Sequence, residues 1–282
     1  MSKNGYTCPE VLVETEWVAQ HLHDPHLRLV EMDADPTAYR FGHIPTAVGW
    51  NWQVDTRDAL RRNIPDPTAF AALMSRSGIA NETTVVLYGD KNNWFASYAF
   101  WLLKYYGHVD VRLMNGGRKK WAAEKRPLTR AIPDIQPTTY QVEVTDADVR
   151  ALRDRVLAGL HRPDTALVDV RSAKEFSGDL AAPEHLQQEG AQRAGHIPGA
   201  VNIAWGQTVQ ADGTFKPAEA LQRLYHSHDV TPDKEVITYC RIGERSSHTW
   251  FVLKYLLGYP HVRNYDGSWV EWGNLIDVPI ER

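Results

Sequence analysis

The chain of 282 residues is 43% hydrophobic and 23% charged, with 19 glycines and 16 prolines, a composition that excludes disordered and collagen-like classes and leaves room for two domains. Thirty-one Lys and Arg stand against 35 Asp and Glu, a net charge of −4, so no long-range positive field is available for a nucleic-acid backbone and any anion site must be local. Cys8 and Cys240 are too few for a disulfide framework, and neither a signal-peptide core nor an apolar run of about eighteen residues occurs, so a cytoplasmic chain without a membrane span is expected.

In chain order, the pattern predicts strands at Leu29–Met32 and Val85–Tyr88 with helices at Pro67–Arg76 and Ala96–Tyr106. Beyond Thr129–Glu143, where prolines and β-formers replace the helical pattern, come a helix at Ala147–Gly159 and a strand at Ala166–Val170. A helix at Pro217–His226, a strand at Glu235–Tyr239 and a helix at Ser246–Leu257 complete the series. The alternation predicts an α/β fold in which each half is a mainly parallel sheet with helices on both faces. The expected domains are 1–130 and 144–282, joined by a linker at 131–143.

The halves repeat. VVLYGDKNNWFASYAFWLLKYYG from Val85 lies over VITYCRIGERSSHTWFVLKYLLG from Val236 without a gap, and the same offset pairs Gly116 with Gly267 and Trp121 with Trp272. Upstream, LVEMDAD and GHIPTAV match LVDVRSAKEF and GHIPGAV, with an insertion before Arg193 in the second half. His43 and His196 fall in both GHIP turns although only one half carries a cysteine beyond its strand, which assigns them to turn geometry. Asp169 and Arg171 read as a charged pair fixing a strand end. His21, His23 and His26 lie in a polar stretch with no carboxylate arrangement that closes a coordination sphere, so no metal is expected.

In parallel sheets ligands bind beyond the carboxyl ends of strands, which directs attention to Cys240-Arg241-Ile242-Gly243-Glu244-Arg245-Ser246-Ser247. Amides at a helix N-terminus and the guanidinium groups of Arg241 and Arg245 favour a thiolate and hold an anionic substrate. Gly243 lets the backbone curl so that amides face one centre, and Ser246 or Ser247 is placed to cap the helix. The matching loop of the first half, Gly89-Asp90-Lys91-Asn92-Asn93, has no nucleophile and reads as structural.

Taken together, the twin GHIP segments, the VITYCRIGERSS loop present in one half only, and DGSWVEW with its counterpart NGGRKKW resemble a tandem-domain rhodanese, a thiosulfate sulfurtransferase, over nearly the whole chain. The resemblance implies that Cys240 takes the outer sulfur of thiosulfate, releases sulfite, and passes the persulfide sulfur to cyanide or another thiophilic acceptor, with no metal or organic cofactor. By position it makes Arg245 a substrate-binding arginine and Arg241 a residue of the thiosulfate-preferring branch. The mercaptopyruvate branch has a loop resembling C-G-S-G-V-T, which this chain does not match. Glu175-Phe176 departs from the family's vertebrate thiosulfate enzymes, which carry an arginine before the aromatic; Arg193 is the candidate compensating guanidinium. Ile242, Gly243, Glu244 and Ser246 complete the expected substrate loop, and Trp205 and Trp94 are candidate apolar walls for the persulfide. Alternatives are a 3-mercaptopyruvate sulfurtransferase and a persulfide carrier serving a protein acceptor. Cdc-type phosphatase chemistry needs five residues between cysteine and arginine, whereas Cys240 and Arg245 enclose four.

Overall fold

The structure, a computed structural model, describes residues 4–181 and 190–282. Residues 182–189, part of the insertion before Arg193, lie outside the described residues. Two compact units are present: Glu10–Ala147 with Val209–Phe215, and the residues up to Pro9 with Asp148–Thr208 and Lys216–Arg282.

The first unit contains β1 (Leu12–Val13), α1 (Thr15–Gln20), β2 (Leu27–Glu31), α2 (Ala38–Phe41), β3 (Val48–Gly49), α3 (Pro67–Arg76), β4 (Thr84–Tyr88), α4 (Trp94–Tyr105), β5 (Val111–Met114) and α5 (Gly117–Ala123). Its strands pair in parallel in the order β1-β5-β4-β2-β3. The second unit repeats the plan with β6 (Arg150–Ala151), α6 (Arg153–Gly159), β7 (Thr165–Asp169), α7 (Ala173–Ser177), β8 (Val201–Asn202), α8 (Ala218–His226), β9 (Glu235–Tyr239), α9 (Glu244–Phe251), β10 (Val262–Tyr265) and α10 (Ser268–Trp272). Its order, β6-β10-β9-β7-β8, is the same arrangement and again wholly parallel. The expected α/β class with two homologous sheets is therefore correct.

Burial on both faces explains the continuous apolar runs of β4 and β9, in which only the first residue escapes full burial. The helices differ by how much they must cover. α8 buries Ala218, Leu221 and Tyr225 on one stripe, whereas α4 is buried from Trp94 through Leu103 and is apolar almost all round. Trp121 and Trp272, fully buried at matched positions, each donate from Nε1 to a following proline carbonyl, Pro127 and Pro279, at 2.9 Å. Pro67 opens α3 behind Asp66, which accepts from the Ala69 amide, the start that the sequence foretells.

Two predicted helices need correction. The pattern over Ala147–Gly159 reads as one helix, but Arg150–Ala151 pair with Asn264 and Tyr265 of β10, so a 3-10 turn and an edge strand precede α6. Edge pairing, reinforced by the Arg150 guanidinium on both Asp266 oxygens at 2.8 Å, outweighs local helical periodicity. The helix expected at Ser246–Leu257 begins two residues earlier and turns π-helical over Val252–Leu256, with the Leu257 amide reaching back to the Val252 carbonyl at 2.9 Å.

Each unit contains a segment from the other half of the chain. Within the second unit, the amides of Thr7 and Cys8 donate to the carbonyls of Leu256 and Tyr255 at 2.9 and 3.0 Å, and the Ala218 amide donates to the Asn4 carbonyl at 2.9 Å. Within the first, the Phe215 amide donates to Asn115 Oδ1 at 3.1 Å.

Candidate active site

β9 ends at Tyr239, and the next residue is Cys240, fully buried. The loop turns at Gly243, whose φ of 101° suits glycine; a Cβ there would lie 2.8 Å from Asp266 Cα. This turn aims the Gly243 amide at Cys240 Sγ, 3.2 Å away. The Cys240 amide donates to Ser268 Oγ at 3.1 Å, and that hydroxyl donates to the Tyr265 carbonyl at 2.7 Å. From the start of α10, the amides of Trp269 and Val270 reach the carbonyls of Cys240 and Arg241 at 3.0 and 2.9 Å. Both carbonyls are thereby directed away from the sulfur.

The Gly243 carbonyl is held in the same manner. It accepts from Ser246 Oγ at 3.0 Å, Ser247 Oγ at 2.8 Å and Asn264 Nδ2 at 3.1 Å. Ser246 Oγ also lies 2.6 Å from Asn264 Oδ1, and Thr238 Oγ1 donates to the Ser246 carbonyl at 3.1 Å. Because α9 begins at Glu244, neither serine caps it: Gly243 is the N-cap residue and no side chain bonds the first amides. The expectation that Ser246 or Ser247 caps the helix is corrected accordingly, since their hydroxyls instead fix the turn carbonyl. Peptide carbonyls tied outward and an amide facing sulfur make a site suited to negative charge at Sγ.

Arg241, Ile242, Glu244 and Arg245 are all buried. The two terminal nitrogens of Arg245 donate to the two carboxylate oxygens of Glu175 at 3.0 and 2.9 Å, a bidentate pair in which Glu175 is 2% exposed. The carboxylate itself is seated by the Ser172 amide and hydroxyl at 3.0 and 2.9 Å, the capping box that starts α7. Burial acts to raise the Glu175 pKa, but Arg245 and Ser172 overcome it and hold the carboxyl down at about 2. Burial likewise opposes the Arg245 charge, and Glu175 together with the Cys240 sulfur keeps the guanidinium above its ordinary value.

Arg193 is placed elsewhere. Its guanidinium donates to the main-chain carbonyls of Gly273, Val278, Trp272 and Leu275, and its own carbonyl accepts from Trp269 Nε1. Arg171 is buried beside Asp169, reaches the Gly195 carbonyl at 2.7 Å, and lies 4.6 Å over the Trp269 ring. His43 and His196 stack on Tyr39 and Phe176 with ring centroids 3.8 and 3.6 Å apart, each donating from Nδ1 to the main-chain carbonyl of that ring's residue. Trp205 meets His248 of α9 edge-on at 5.3 Å, whereas Trp94 opens α4 in the first unit against Phe95.

Sequence reasoning missed Ser268, Asn264, Thr238 and the second role of Glu175. The S-x-x-E spacing of Ser172 and Glu175 is legible as a helix start, but its long-range partner is not.

The first unit's loop fills itself. The Gly89 amide donates to Asn93 Oδ1 at 3.0 Å, and Asn93 Nδ2 donates to the Met114 carbonyl at 2.7 Å. Lys91, Asn92 and Asn93 all adopt left-handed backbone, with φ of 43°, 58° and 66°. Among the described residues no helix is long and apolar enough to cross a membrane.

Comparison with known proteins agrees with this geometry. The family profile described as Rhodanese-like domain matches residues 14–124 and again 152–275. The chain is 57% identical to the sulfur carrier protein TtuD of Thermus thermophilus, covering 99% of both chains. It is 51% identical to a Saccharopolyspora erythraea protein provisionally named a thiosulfate sulfurtransferase, covering 96% of both. Among solved structures, YnjE superposes with a TM-score of 0.85 at 25% identity, over 98% of this chain and 70% of that one. The anaerobic ergothioneine biosynthesis enzyme from Chlorobium limicola, in complex with trimethyl histidine, superposes at 0.84 and 25%, over 98% and 71%. A profile that matches both halves, on two sheets of identical strand order with the cysteine loop in the second alone, identifies the chain as a tandem-domain member of the rhodanese family.

Proposed function

We propose that this sulfurtransferase moves the sulfane sulfur of thiosulfate through a persulfide on Cys240. The Cys240 thiolate attacks the outer sulfur, the sulfur–sulfur bond of thiosulfate breaks, and its electron pair leaves with sulfite, so that one thiolate and one dianion become one persulfide anion and one dianion. A thiophilic acceptor then takes the outer sulfur and returns the thiolate; cyanide leaves as thiocyanate. The observation that carries this reading is the Gly243 amide 3.2 Å from Cys240 Sγ, in a loop whose Cys240, Arg241 and Gly243 carbonyls are each hydrogen-bonded elsewhere. On this reading Cys240 is the nucleophile and the backbone of Arg241, Ile242, Gly243, Glu244, Arg245 and Ser246 surrounds the anion, with guanidinium charge from Arg241 and Arg245. The expected domains 1–130 and 144–282, joined by 131–143, are on this reading the non-catalytic and the catalytic one, working in the reducing cytoplasm. The residues up to Pro9 belong to the catalytic unit and Val209–Phe215 to the other.

The 57% identity to a protein named a sulfur carrier favours a second reading, in which the acceptor is a protein or its thiol and cyanide is merely a convenient substitute. A 3-mercaptopyruvate donor is the remaining alternative. Intact mass after mixing wild type and Cys240→Ala with thiosulfate tests the first step. One sulfur gained by the wild type alone, and discharged by cyanide as thiocyanate, is the expected result. No gain from thiosulfate but a gain from 3-mercaptopyruvate would replace the donor.

A further inference from the structure

The reaction passes dianions through a buried loop, which makes the sign and size of the loop's fixed charge consequential. Arg241 and Arg245 contribute two buried positive charges, while Glu244 and Glu175 contribute two buried negative ones. Glu244 belongs to the loop itself, but Glu175 arrives from α7, seventy residues before Arg245 in sequence. Its position does not depend on Arg245: the Ser172 amide and hydroxyl both hold Oε2. Arg245 therefore docks onto a preset carboxylate, which takes both terminal nitrogens and fixes the plane of the guanidinium, leaving three of its five N–H groups for other partners.

We propose that Glu175 is a positioning and charge-setting residue for sulfur transfer: it aims Arg245 and offsets its charge, so that the loop accepts an anionic donor without retaining sulfite or the persulfide anion. This rests on the thiosulfate reading above. An uncompensated guanidinium in a low-dielectric site attracts every anion more strongly, the donor, the leaving group and the loaded sulfur alike. Tighter donor binding that is accompanied by tighter intermediate binding does not speed turnover.

Glu175→Gln keeps the size of the side chain and removes its charge. The half-reactions are followed separately: persulfide formation by rapid-quench mass analysis, and discharge by thiocyanate release from the loaded protein. The expected result is a KM for thiosulfate lowered about threefold, sulfite inhibition strengthened to a similar degree, and discharge slowed about tenfold, with melting temperature recorded alongside. Glu175→Asp, which restores the charge, should recover much of the discharge rate. In an Arg245→Met background the carboxylate is left unpaired, so the Gln substitution should no longer slow discharge and should, if anything, restore donor binding by removing a buried negative charge.

A purely structural role predicts otherwise: KM would rise, both half-reactions would fall together, and Asp would rescue neither. That outcome, or a slowing of discharge by the Gln substitution that persists in the Arg245→Met background, overturns the proposal. Should Glu175→Gln fail to fold, Arg245→Met and the double variant, which removes the buried pair together, carry the test: the double variant should discharge no more slowly than Arg245→Met, and slower discharge by the double variant overturns the proposal. Failure of the wild type to gain sulfur from thiosulfate is a separate result, and it removes the donor reading on which this one stands.

Discussion

The same buried anchor is built twice in this chain, by different residues. In the second unit Asp169 and Arg171, two residues apart at the end of β7, pair with each other, and Arg171 reaches the Gly195 carbonyl of the GHIP turn. In the first unit the matching strand end supplies Glu31 and Asp33, both acidic, and the guanidinium comes from Arg118 on α5, which bonds Glu31 and the Gly42 carbonyl. Arg118 occupies the repeat position of Trp269, the ring that lies against Arg171. Even the tyrosines agree, since the amides of Ile44 and Ile197 donate to the hydroxyls of Tyr88 and Tyr239 at 2.9 and 3.1 Å. A cation between a carboxylate and a glycine carbonyl is thus built into both units, with or without a cysteine in the loop. What separates the halves is the content of one loop: a cysteine whose sulfur faces an amide in one, and in the other a glycine whose own amide is taken by the Asn93 side chain as Ser268 takes that of Cys240.

The largest test of this contrast exchanges the nucleophile. Cys240→Ala should abolish persulfide formation, while Gly89→Cys should create none. A Cβ at Gly89 would overlap the Met32 carbonyl oxygen, and the substitution should cost about 1–3 kcal/mol by thermal or chemical unfolding. A persulfide on residue 89 would show that the first loop had lost only its sulfur.

Next in size is Ser268→Ala, which removes the acceptor for the buried Cys240 amide. We expect turnover to fall about tenfold, with roughly 1–3 kcal/mol of stability lost to the unsatisfied amide. Unchanged turnover at reduced stability would separate loop anchoring from chemistry.

Arg193→Met should lower stability by about 2 kcal/mol, because several carbonyls lose a charged donor, yet leave KM for thiosulfate unchanged. A raised KM would instead return Arg193 to the substrate.

The smallest effect sharpens the contrast between two buried carboxyls. Asp33 is pushed up to about 8, by burial first and then by Glu31, so the native state holds a proton that the unfolded chain gives up near 3.8. Stability from this group therefore falls as pH rises from about 4 to 8. Asp33→Asn should melt higher than wild type by an amount that grows from pH 5 to pH 8, reaching about 1 kcal/mol or more. Glu175, held down at about 2, has the opposite sign: its contribution is complete above the ordinary glutamate value of 4.5 and is lost as pH falls toward 2. Parallel melting curves for wild type and Asp33→Asn across that range would refute the buried proton.

The repeat, the four long strands and the nucleophile's loop were legible because apolar runs buried on both faces and a cysteine before a helix start are local patterns. The two-residue strands β1, β3, β6 and β8 leave no periodic signal, and Arg150–Ala151 carries a misleading one until β10 is beside it. Arg245 could be named from its spacing to Cys240, but the direction of its guanidinium is decided by Glu175, which local pattern alone cannot pair with it. Arg193 shows the converse: a surface-like arginine in sequence becomes the tie for the chain after α10 because the carbonyls of Trp272, Gly273, Leu275 and Val278 gather around it.

The interleaving of the first few residues with the second unit bears on how the gene could be divided. A fragment beginning after the linker would lack the amides of Thr7 and Cys8, exposing the carbonyls of Tyr255 and Leu256 at the π-helical turn that continues α9. A synthetic peptide spanning those opening residues should therefore act as a complement in trans to the isolated second half, in the way a missing tile restores a mosaic's edge. Such a protein is divided more naturally by circular permutation, with the opening segment joined after Arg282, than by a cut at its midpoint.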